Sequence, residues 1–309
     1  MRLRMLLLLC CAPSLVVCAQ QRPPITGVAY VTVITSDLER ARQFYGKQLG
    51  LTEVSADDDR LPRALRFRIN PRQYLNVCFF VKPPTNSVSR LYEVAFETPD
   101  AEALRRFLAA NHIEVPASVD GEGDGSHAFR VKDPEGNRIS FVQYAAGADA
   151  SATQGIRSDK SGTPPPISSR MIHAGFVVHD RAAEDRFYHD LLGFRLYWQG
   201  GMKEDKTDWV DMQVPDGSDW LEYMLNVRPD ASPRELGVVN HFALGVPKIE
   251  GIVDQLRARG WDGADRPQIG RDGKWQLNLY DPDLTRAEVM EFRPIRVPCC
   301  APYSDAHPH

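Results

Sequence analysis

The chain has 309 residues, of which 43% are hydrophobic and 25% are charged. This length and composition are typical of a water-soluble protein with two domains of ordinary size. The formal net charge of −4 offers no basic surface, so nucleic acid is excluded as an expected partner.

The first 20 residues have the features of a secretory signal peptide. Residues 1–4 carry positive charge, residues 5–17 are apolar, and Val17-Cys18-Ala19 resembles a small-residue cleavage signal before Gln20. The apolar run of about 13 residues is shorter than the roughly 20 that span a bilayer. We therefore expect export to a periplasmic or extracellular space, without a membrane span after cleavage. Lipid attachment at Cys18 is disfavoured because Val17 precedes it.

A first domain is predicted over residues 25–145. It opens with the β-branched strand G-V-A-Y-V-T-V-I-T, after which Ser36 or Asp37 caps a helix that closes at Gly50. Further strands are expected at 64–69, 74–81 and in L-Y-E-V-A-F-E, with a helix at 101–110 and a final hairpin around D-P-E-G-N. The pattern is β-α-β-β-β written twice.

Residues 146–170 are rich in Gly, Ser, Thr and Pro and are interpreted as a linker; an ordered strap across the surface is the alternative. A second domain at 171–295 repeats the rhythm of the first, with Phe187-Tyr188 matching Phe44-Tyr45 as predicted core residues. Residues 296–309 form a tail. Its adjacent Cys299 and Cys300 are interpreted as able to bind adventitious metal or to cross-link chains.

Four residues of the second domain point to chemistry: His173, Glu222, His241 and Glu288. Each interrupts a short apolar run that reads as a strand, namely M-I-H-A-G-F-V-V, W-L-E-Y-M-L-N-V, V-V-N-H-F-A-L-G-V and R-A-E-V-M-E-F. A polar side chain in such a run is costly to bury unless it is compensated. The His-then-Glu pair occurs twice, at separations of 49 and 47 residues. If the two halves pair about a pseudo-twofold axis, both pairs meet at one centre.

Two imidazoles and two carboxylates are a suitable ligand set for one divalent ion of Ni, Co, Zn, Mn or Fe. Glu291 competes locally with Glu288. Strand alternation puts Glu288 and Glu291 on opposite faces, so only one of them can point inward.

These motifs resemble the vicinal oxygen chelate superfamily, which includes glyoxalase I, extradiol dioxygenases, epimerases and drug-resistance proteins. The resemblance rests on Y-V-T-V-I-T-S-D-L-E-R-A-R-Q-F-Y, H-A-G-F-V-V-H-D, N-H-F-A-L-G-V and D-P-D-x4-E. It implies an α+β fold of paired βαβββ modules, in two tandem domains with four modules. It also implies metal ligation by His173, Glu222, His241 and Glu288, and favours Glu288 over Glu291.

In the first domain the corresponding positions are occupied by Tyr30, Asn76, Glu93 and Ser140. One carboxylate among a phenol, an amide and a hydroxyl is a poor transition-metal site. We therefore expect the first domain to be metal-free and to act as a scaffold, a dimer surface or a cover.

The resemblance implies a small-molecule substrate with vicinal oxygens, acted on by an isomerase or lyase of the glyoxalase I type. Proton abstraction would proceed through a metal-chelated enediolate, with Glu288 or Glu222 as the base. Glutathione is disfavoured because Val177 stands where an Arg that binds it is expected, although Asn226 matches a thiol-contacting position.

Two alternatives remain open. In an Fe(II) extradiol-type dioxygenase, His173, His241 and Glu288 would form the triad, and Tyr280 would be a nearby donor. In a non-catalytic binding protein, Trp198, Trp209, Trp220 and Trp275 would supply an aromatic cleft. A monomer and a homodimer are both compatible with the sequence.

Overall fold

A computed structural model describes residues 21–55, 63–80, 90–121, 125–147 and 165–309. The predicted signal peptide and residues 148–164 of the predicted linker lie outside these ranges, so the export prediction is not tested. Within them, no helix is long and apolar enough to cross a membrane.

Two curled sheets of eight strands each account for the fold. The first half comprises β1 (Gly27–Thr35), α1 (Leu38–Ala41, continued as a π-helix over Arg42–Gln48), β2 (Thr52–Val54), β3 (Ala64–Asn70), β4 (Gln73–Phe79), β5 (Leu91–Glu97), α2 (Ala101–Ala110), β6 (Asp120–Gly121), β7 (His127–Lys132) and β8 (Arg138–Gln143). The second half comprises β9 (Met171–Val177), α3 (Arg181–Asp185, continued as a π-helix over Arg186–Leu191), β10 (Arg195–Gly200), β11 (Trp209–Gln213), β12 (Trp220–Met224), α4 (Pro233–Val239), β13 (His241–Val246), α5 (Ile252–Ala258), β14 (Gln268–Ile269), β15 (Trp275–Tyr280) and β16 (Arg286–Glu291).

The strand orders of the two sheets are the same. The first sheet runs β2-β3-β4-β1-β5-β8-β7-β6 and the second runs β10-β11-β12-β9-β13-β16-β15-β14. In each sheet the opening strands of two βαβββ modules pair antiparallel at the centre, β1 with β5 and β9 with β13. The predicted α+β class and the four-module layout are confirmed.

Helix starts follow the expected capping chemistry. Asp37 accepts hydrogen bonds from the backbone amides of Glu39 and Arg40, and Asp180 accepts one from Ala183. One expected strand start is wrong. Val238 and Val239 are the last residues of α4 and Asn240 is its C-cap, because Ser232 and Glu235 form a capping box that starts a helix there.

The two halves share one hydrophobic core. Phe44, Tyr45, Phe187 and Tyr188 are buried in it, as the sequence predicts. The ring of Tyr45 also lies 6.4 Å from that of Phe242 in the second half. The helix of one half therefore packs against the sheet of the other.

Matched hydrogen bonds join the halves. The Tyr45 hydroxyl donates to Asp281 Oδ2 at 2.8 Å, and the Tyr188 hydroxyl donates to Asp133 Oδ2 at 3.1 Å. Both aspartates belong to the closing hairpin turn of the opposite half. Burial raises the pKa of each carboxyl to about 6. The pseudo-twofold relation therefore extends from the sheets to the contacts between them.

The described residues of the linker and of the tail pack against the domains. Ile167 is buried and its amide donates to Leu49 O at 3.0 Å. In the tail, Ser304 N donates to Tyr197 O at 3.0 Å, so the end of the chain packs against the second sheet. Cys299 and Cys300 form a disulfide with each other. The expectation that they cross-link chains is wrong because each sulfur already has its neighbour as a partner.

Replacing Tyr45 by Phe tests the contact between the halves. We expect Tyr45→Phe to lower the free energy of unfolding by about 1–2 kcal/mol, because Asp281 loses a buried donor. Urea denaturation measures this, with Tyr92→Phe as the control because the Tyr92 hydroxyl makes no hydrogen bond with a described residue. Equal stability of the two variants would contradict the role given to the Tyr45 hydroxyl.

Candidate metal centre

The four predicted ligands lie on four adjacent strands at the middle of the second sheet. His173 is on β9, Glu222 on β12, His241 on β13 and Glu288 on β16, in the order β12-β9-β13-β16. Side chains that point to one face of a curled sheet converge on its concave side. Sequence positions more than 100 residues apart are therefore brought to one point.

Each of the four side chains has a nitrogen or oxygen atom within 3.8 Å of another of the four. His173 Nε2 and His241 Nε2 are 3.0 Å apart. Glu222 Oε2 lies 3.0 Å from His241 Nε2 and 3.5 Å from His173 Nε2. Glu288 Oε2 lies 3.6 Å from His241 Nε2 and 3.8 Å from His173 Nε2.

Two small residues make this convergence possible. Gly175 lies opposite His241 on one side and opposite Glu222 on the other. A Cβ at Gly175 would lie 2.4 Å from His241 Cε1, closer than packed atoms approach. Ala243 occupies the symmetry-related position between His173 and Glu288. The signal that sequence reasoning missed is a small residue two places after each histidine.

Both histidines are held neutral. Burial lowers the pKa of His173 and of His241 well below 6.5. His241 Nδ1 lies 2.8 Å from Val239 O, which fixes the proton on Nδ1 because a carbonyl only accepts. The lone pair of His241 Nε2 therefore faces the centre, as a metal ligand requires.

Burial makes the ionised forms of Glu222 and Glu288 unfavourable. Burial raises the pKa of Glu222 to about 7 and that of Glu288 to about 8. A divalent ion would supply the missing positive charge and would accept lone pairs from both imidazoles and both carboxylates. The donor set and its burial thus fit a divalent transition-metal ion.

The alternative ligand Glu291 points away. Its Oε1 accepts from Ile249 N at 2.9 Å, on the opposite face of β16 from Glu288. Within the described residues, His173, His241 and Glu288 form a set whose ligand atoms all lie within 4.8 Å of one another. Glu288, and not Glu291, therefore faces the two histidines.

A cavity of about 100 Å³ opens beside these side chains. Its walls comprise three of the predicted ligands, three tryptophans, one methionine and five further polar residues that sequence reasoning missed. They are His173, Glu222, Glu288, Trp198, Trp209, Trp220, Asp211, Arg271, Asp272, Gln276, Arg286 and Met290. Most of the missed residues lie on β11, β15 and β16 or in the β14–β15 turn, and only the strand register shows that they face the same space.

The profile of the Glyoxalase/Bleomycin resistance protein/Dioxygenase superfamily matches residues 27–141 and 170–289. The chain belongs to this superfamily. The two matched segments coincide with the two sheets, and the centre described above lies in the second segment.

Two relatives with different names are similar to parts of this chain. Catechol-2,3-dioxygenase of Bacillus subtilis (strain 168) is 27% identical over 199 residues, which are 55% of this chain and 66% of that protein. A probable chloroplastic lactoylglutathione lyase of Arabidopsis thaliana is 27% identical over 134 residues, 42% of this chain and 38% of that protein. The matches thus span less than two thirds of each relative.

Solved structures show the same fold. An extradiol ring-cleaving dioxygenase from B. fuscum has a TM-score of 0.63 at 20% identity, covering 88% of this chain and 73% of that one. Homoprotocatechuate 2,3-dioxygenase from Brevibacterium fuscum, in complex with 3,4-dihydroxyphenylacetate, has a TM-score of 0.60 at 21% identity, covering 88% and 82%. At these identities the likeness concerns the fold.

The first superfamily domain has a different cluster at the equivalent position. The strand registers place Tyr30, Asn76, Glu93 and Ser140 where the second domain has its four ligands. The Tyr30 hydroxyl donates to Glu93 Oε1 at 2.8 Å, Ser140 donates to the same oxygen, and Arg130 Nε lies 3.2 Å from it. A guanidinium here neutralises the single carboxylate.

Other residues considered from the sequence lie outside the cavity. Asn226 donates to Thr207 O at 2.8 Å, and neither it nor Val177 lines the cavity. Tyr280 lies opposite Arg286 at the end of β15 and lines a separate pocket near α1. Trp275 lies on the opposite face of the sheet, beside Glu291.

Beneath the cavity, a fully buried lysine lies in an aromatic cage. Lys274 Nζ is 4.4 Å from the centroid of the Trp220 ring and 5.1 Å from those of Tyr197 and Tyr303. Burial lowers the pKa of Lys274. Trp220 in turn stacks on His173, with ring centroids 4.6 Å apart. Tyr303 comes from the tail, so the tail completes the support of a predicted ligand.

Gly175→Ala tests the packing of the centre. The new methyl group would displace His241, so we expect metal affinity to fall by at least ~10-fold while the protein remains folded. Isothermal titration with Co²⁺ measures the affinity, and Gly121→Ala, whose added Cβ meets nothing within 4 Å, is the control. Unchanged affinity in Gly175→Ala would show that His241 does not bind the ion.

Glu222→Gln tests the electrostatics. In the folded, metal-free protein the pKa of Glu222 lies above its ordinary 4.5. The Glu222 carboxyl group therefore makes its full contribution to stability below about pH 4.5, and this contribution is lost as pH rises through about 7. Glutamine does not ionise. We therefore expect the melting temperature of the chelator-treated variant to rise relative to wild type between about pH 5 and about pH 8.

The control for this measurement is Glu250→Gln, an exposed substitution whose difference from wild type should not change with pH. A pH-independent difference for Glu222→Gln as well would contradict the assignment of a buried, uncompensated carboxylate at Glu222.

Proposed function

We propose that the chain is a metal-dependent enzyme of the isomerase or lyase type, which moves a proton at a carbon beside vicinal oxygen atoms. The observation that supports this reaction most is the second carboxylate at the centre. Glu222 Oε2 lies 3.0 Å from His241 Nε2. A carboxylate at this position supplies a base next to the bound substrate, which the His173, His241 and Glu288 set alone lacks.

The four ligands would hold one divalent ion of Ni, Co, Zn, Mn or Fe. When bound, the ion would draw electron density from the substrate oxygens and so make the neighbouring C–H bond more acidic. Glu288, whose side chain is 4% exposed, would remain a fixed ligand. Glu222, at 14%, faces the cavity and would accept the proton at Oε2 and return it to the adjacent carbon.

An extradiol-type Fe(II) dioxygenase is the second candidate. It is supported by the compact His173, His241 and Glu288 set and by the similarity to a catechol dioxygenase. Two imidazoles and one carboxylate on one face of an iron ion are the arrangement used by many non-haem oxygenases. Glu222 argues against it, because a second carboxylate would fill a position that oxygen or substrate needs.

The first domain has a supporting role in this proposal. Its Glu93 is already neutralised by Arg130 at 3.2 Å, so we propose that it takes no metal and holds the second domain in shape. We also propose that the chain acts after export, on the basis of residues 1–20.

Elemental analysis of protein purified without chelator or affinity-tag histidines tests the proposal. We expect about one Ni, Co, Zn or Mn ion per chain, a sharp fall in Glu222→Ala, and no change in the matched first-domain variant Glu93→Gln. Deuterium uptake from D₂O into α-hydroxycarbonyl compounds and hemithioacetals, followed by NMR, tests the proton transfer.

Three results would overturn the proposal. Iron that survives the loss of Glu222, together with oxygen uptake on catechols that disappears in His241→Ala, would establish the dioxygenase. Metal in Glu222→Ala at the wild-type level would remove Glu222 from the ligand set. A wild-type protein that takes up no metal even after soaking would leave a binding protein.

A further inference from the structure

Arg286 is the one cavity residue among those described whose guanidinium has a buried nitrogen without a partner. It lies on β16 two residues before Glu288, and strand alternation puts both side chains on the concave face. Its Nε is buried and has no hydrogen-bond partner. Within the described residues, the side chain makes no ion pair or hydrogen bond.

Other arginines in comparable surroundings are paired. Arg170 Nη2 lies 2.7 Å from Asp219, and Arg130 Nε lies 3.2 Å from Glu93. A guanidinium is permanently charged and carries five donors. Leaving a buried donor unsatisfied destabilises the folded protein. An arginine kept in this state beside a cavity is therefore ready for a ligand that contributes acceptors.

The overall charge of the cavity favours an anion. Its walls carry four carboxylates and two guanidiniums, and Lys274 lies behind Trp220. A divalent ion at the centre would add two positive charges to those of the two guanidiniums and Lys274. The site would then hold five positive charges against the four carboxylates. The loaded site would then be left with a net positive charge, which an anionic group on the substrate would offset.

The strand geometry gives the distance between the anionic group and the vicinal oxygens of the substrate. Residues two apart on one face of a strand are separated by roughly 7 Å. The anionic group would therefore lie about one six-membered ring away from the oxygens near Glu288. The planar donor fork of an arginine matches a carboxylate in two parallel hydrogen bonds.

We propose that Arg286 is a specificity-determining residue and that the substrate carries a carboxylate in addition to its vicinal oxygens. This inference rests on the proposed metal-dependent function. It assigns the carboxylate to Arg286 and the vicinal oxygens to the ion held by the four ligands. It does not depend on which reaction follows.

A matched pair of ligands tests the inference. The probes are 3,4-dihydroxyphenylacetate and its neutral amide, in which the ring and one methylene group separate the varied group from the two ring oxygens. Binding to the Co²⁺-loaded protein is followed by the visible cobalt bands. We expect wild type to prefer the carboxylate by roughly 10- to 100-fold.

Variants of Arg286 separate its contribution from the rest of the site. In Arg286→Gln we expect the preference to fall to about 1, with cobalt content and amide affinity unchanged, and in Arg286→Lys we expect a partial preference because the charge remains without the fork. The control is Arg266→Gln. Among the described residues, the Arg266 guanidinium hydrogen-bonds only the carbonyls of Ala264 and Asp265, so this variant should keep the full preference.

Equal affinity of wild type for the two probes would overturn the inference, as would an undiminished preference in Arg286→Gln. Failure of the metal centre is recognised separately because no cobalt bands would appear. In that case the two probes are titrated into the metal-free protein. Binding is followed by the fluorescence of Trp198, Trp209 and Trp220, which line the cavity. There, loss of the carboxylate preference in Arg286→Gln would still support the role of Arg286, and its retention would refute it.

Discussion

The structure of the second half depends on the burial of two imidazoles and two carboxylates in one small volume. His173 Nε2 and His241 Nε2 face each other at 3.0 Å, and Glu222 and Glu288 approach the same two nitrogens. Such a cluster is unfavourable in an apolar interior unless a cation joins it. The surrounding features follow from this requirement. Gly175 and Ala243 leave room for the side chains, and the carbonyl of Val239 sets the tautomer of His241.

The duplicated architecture shows two solutions to the same electrostatic problem. In the second half the centre holds two carboxylates and two imidazoles, a donor set that fits a divalent cation. In the first half the equivalent positions hold only one carboxylate, Glu93, and the protein supplies its own cation from Arg130 together with two hydroxyl donors. The topology is the same in both, since the strand orders correspond. The two module pairs therefore share one topology and differ in the side chains at these four positions.

The supports of the centre reach beyond its own sheet. Tyr45 and Tyr188 exchange hydrogen bonds between the halves, which fixes the closing hairpins that precede Ser140 and Glu288. On the other side, the tail brings Tyr303 against Lys274, and Lys274 lies against Trp220, which stacks on His173. The ligands are thus held by contacts from both halves and from the end of the chain. A site of this kind is rigid because each ligand is positioned by elements that are distant in sequence.

The sequence by itself determined the modules and the helix caps and pointed to the four candidate ligands, because these depend on local periodicity and on a repeat that is visible in one dimension. Its register also separated Glu288 from Glu291, since alternation along a strand is a local property. Only the tertiary structure decided which other polar residues face the ligands. Asp211, Lys274 and Arg286 lie in strands or turns where a polar residue ordinarily faces water, and curling of the sheet turns them inward. The same holds for Cys299 and Cys300, whose pairing depends on the backbone conformation of the tail. The start of α4 is different, because its capping box of Ser232 and Glu235 is a local signal; it was overlooked because the apolar run that follows resembled a strand.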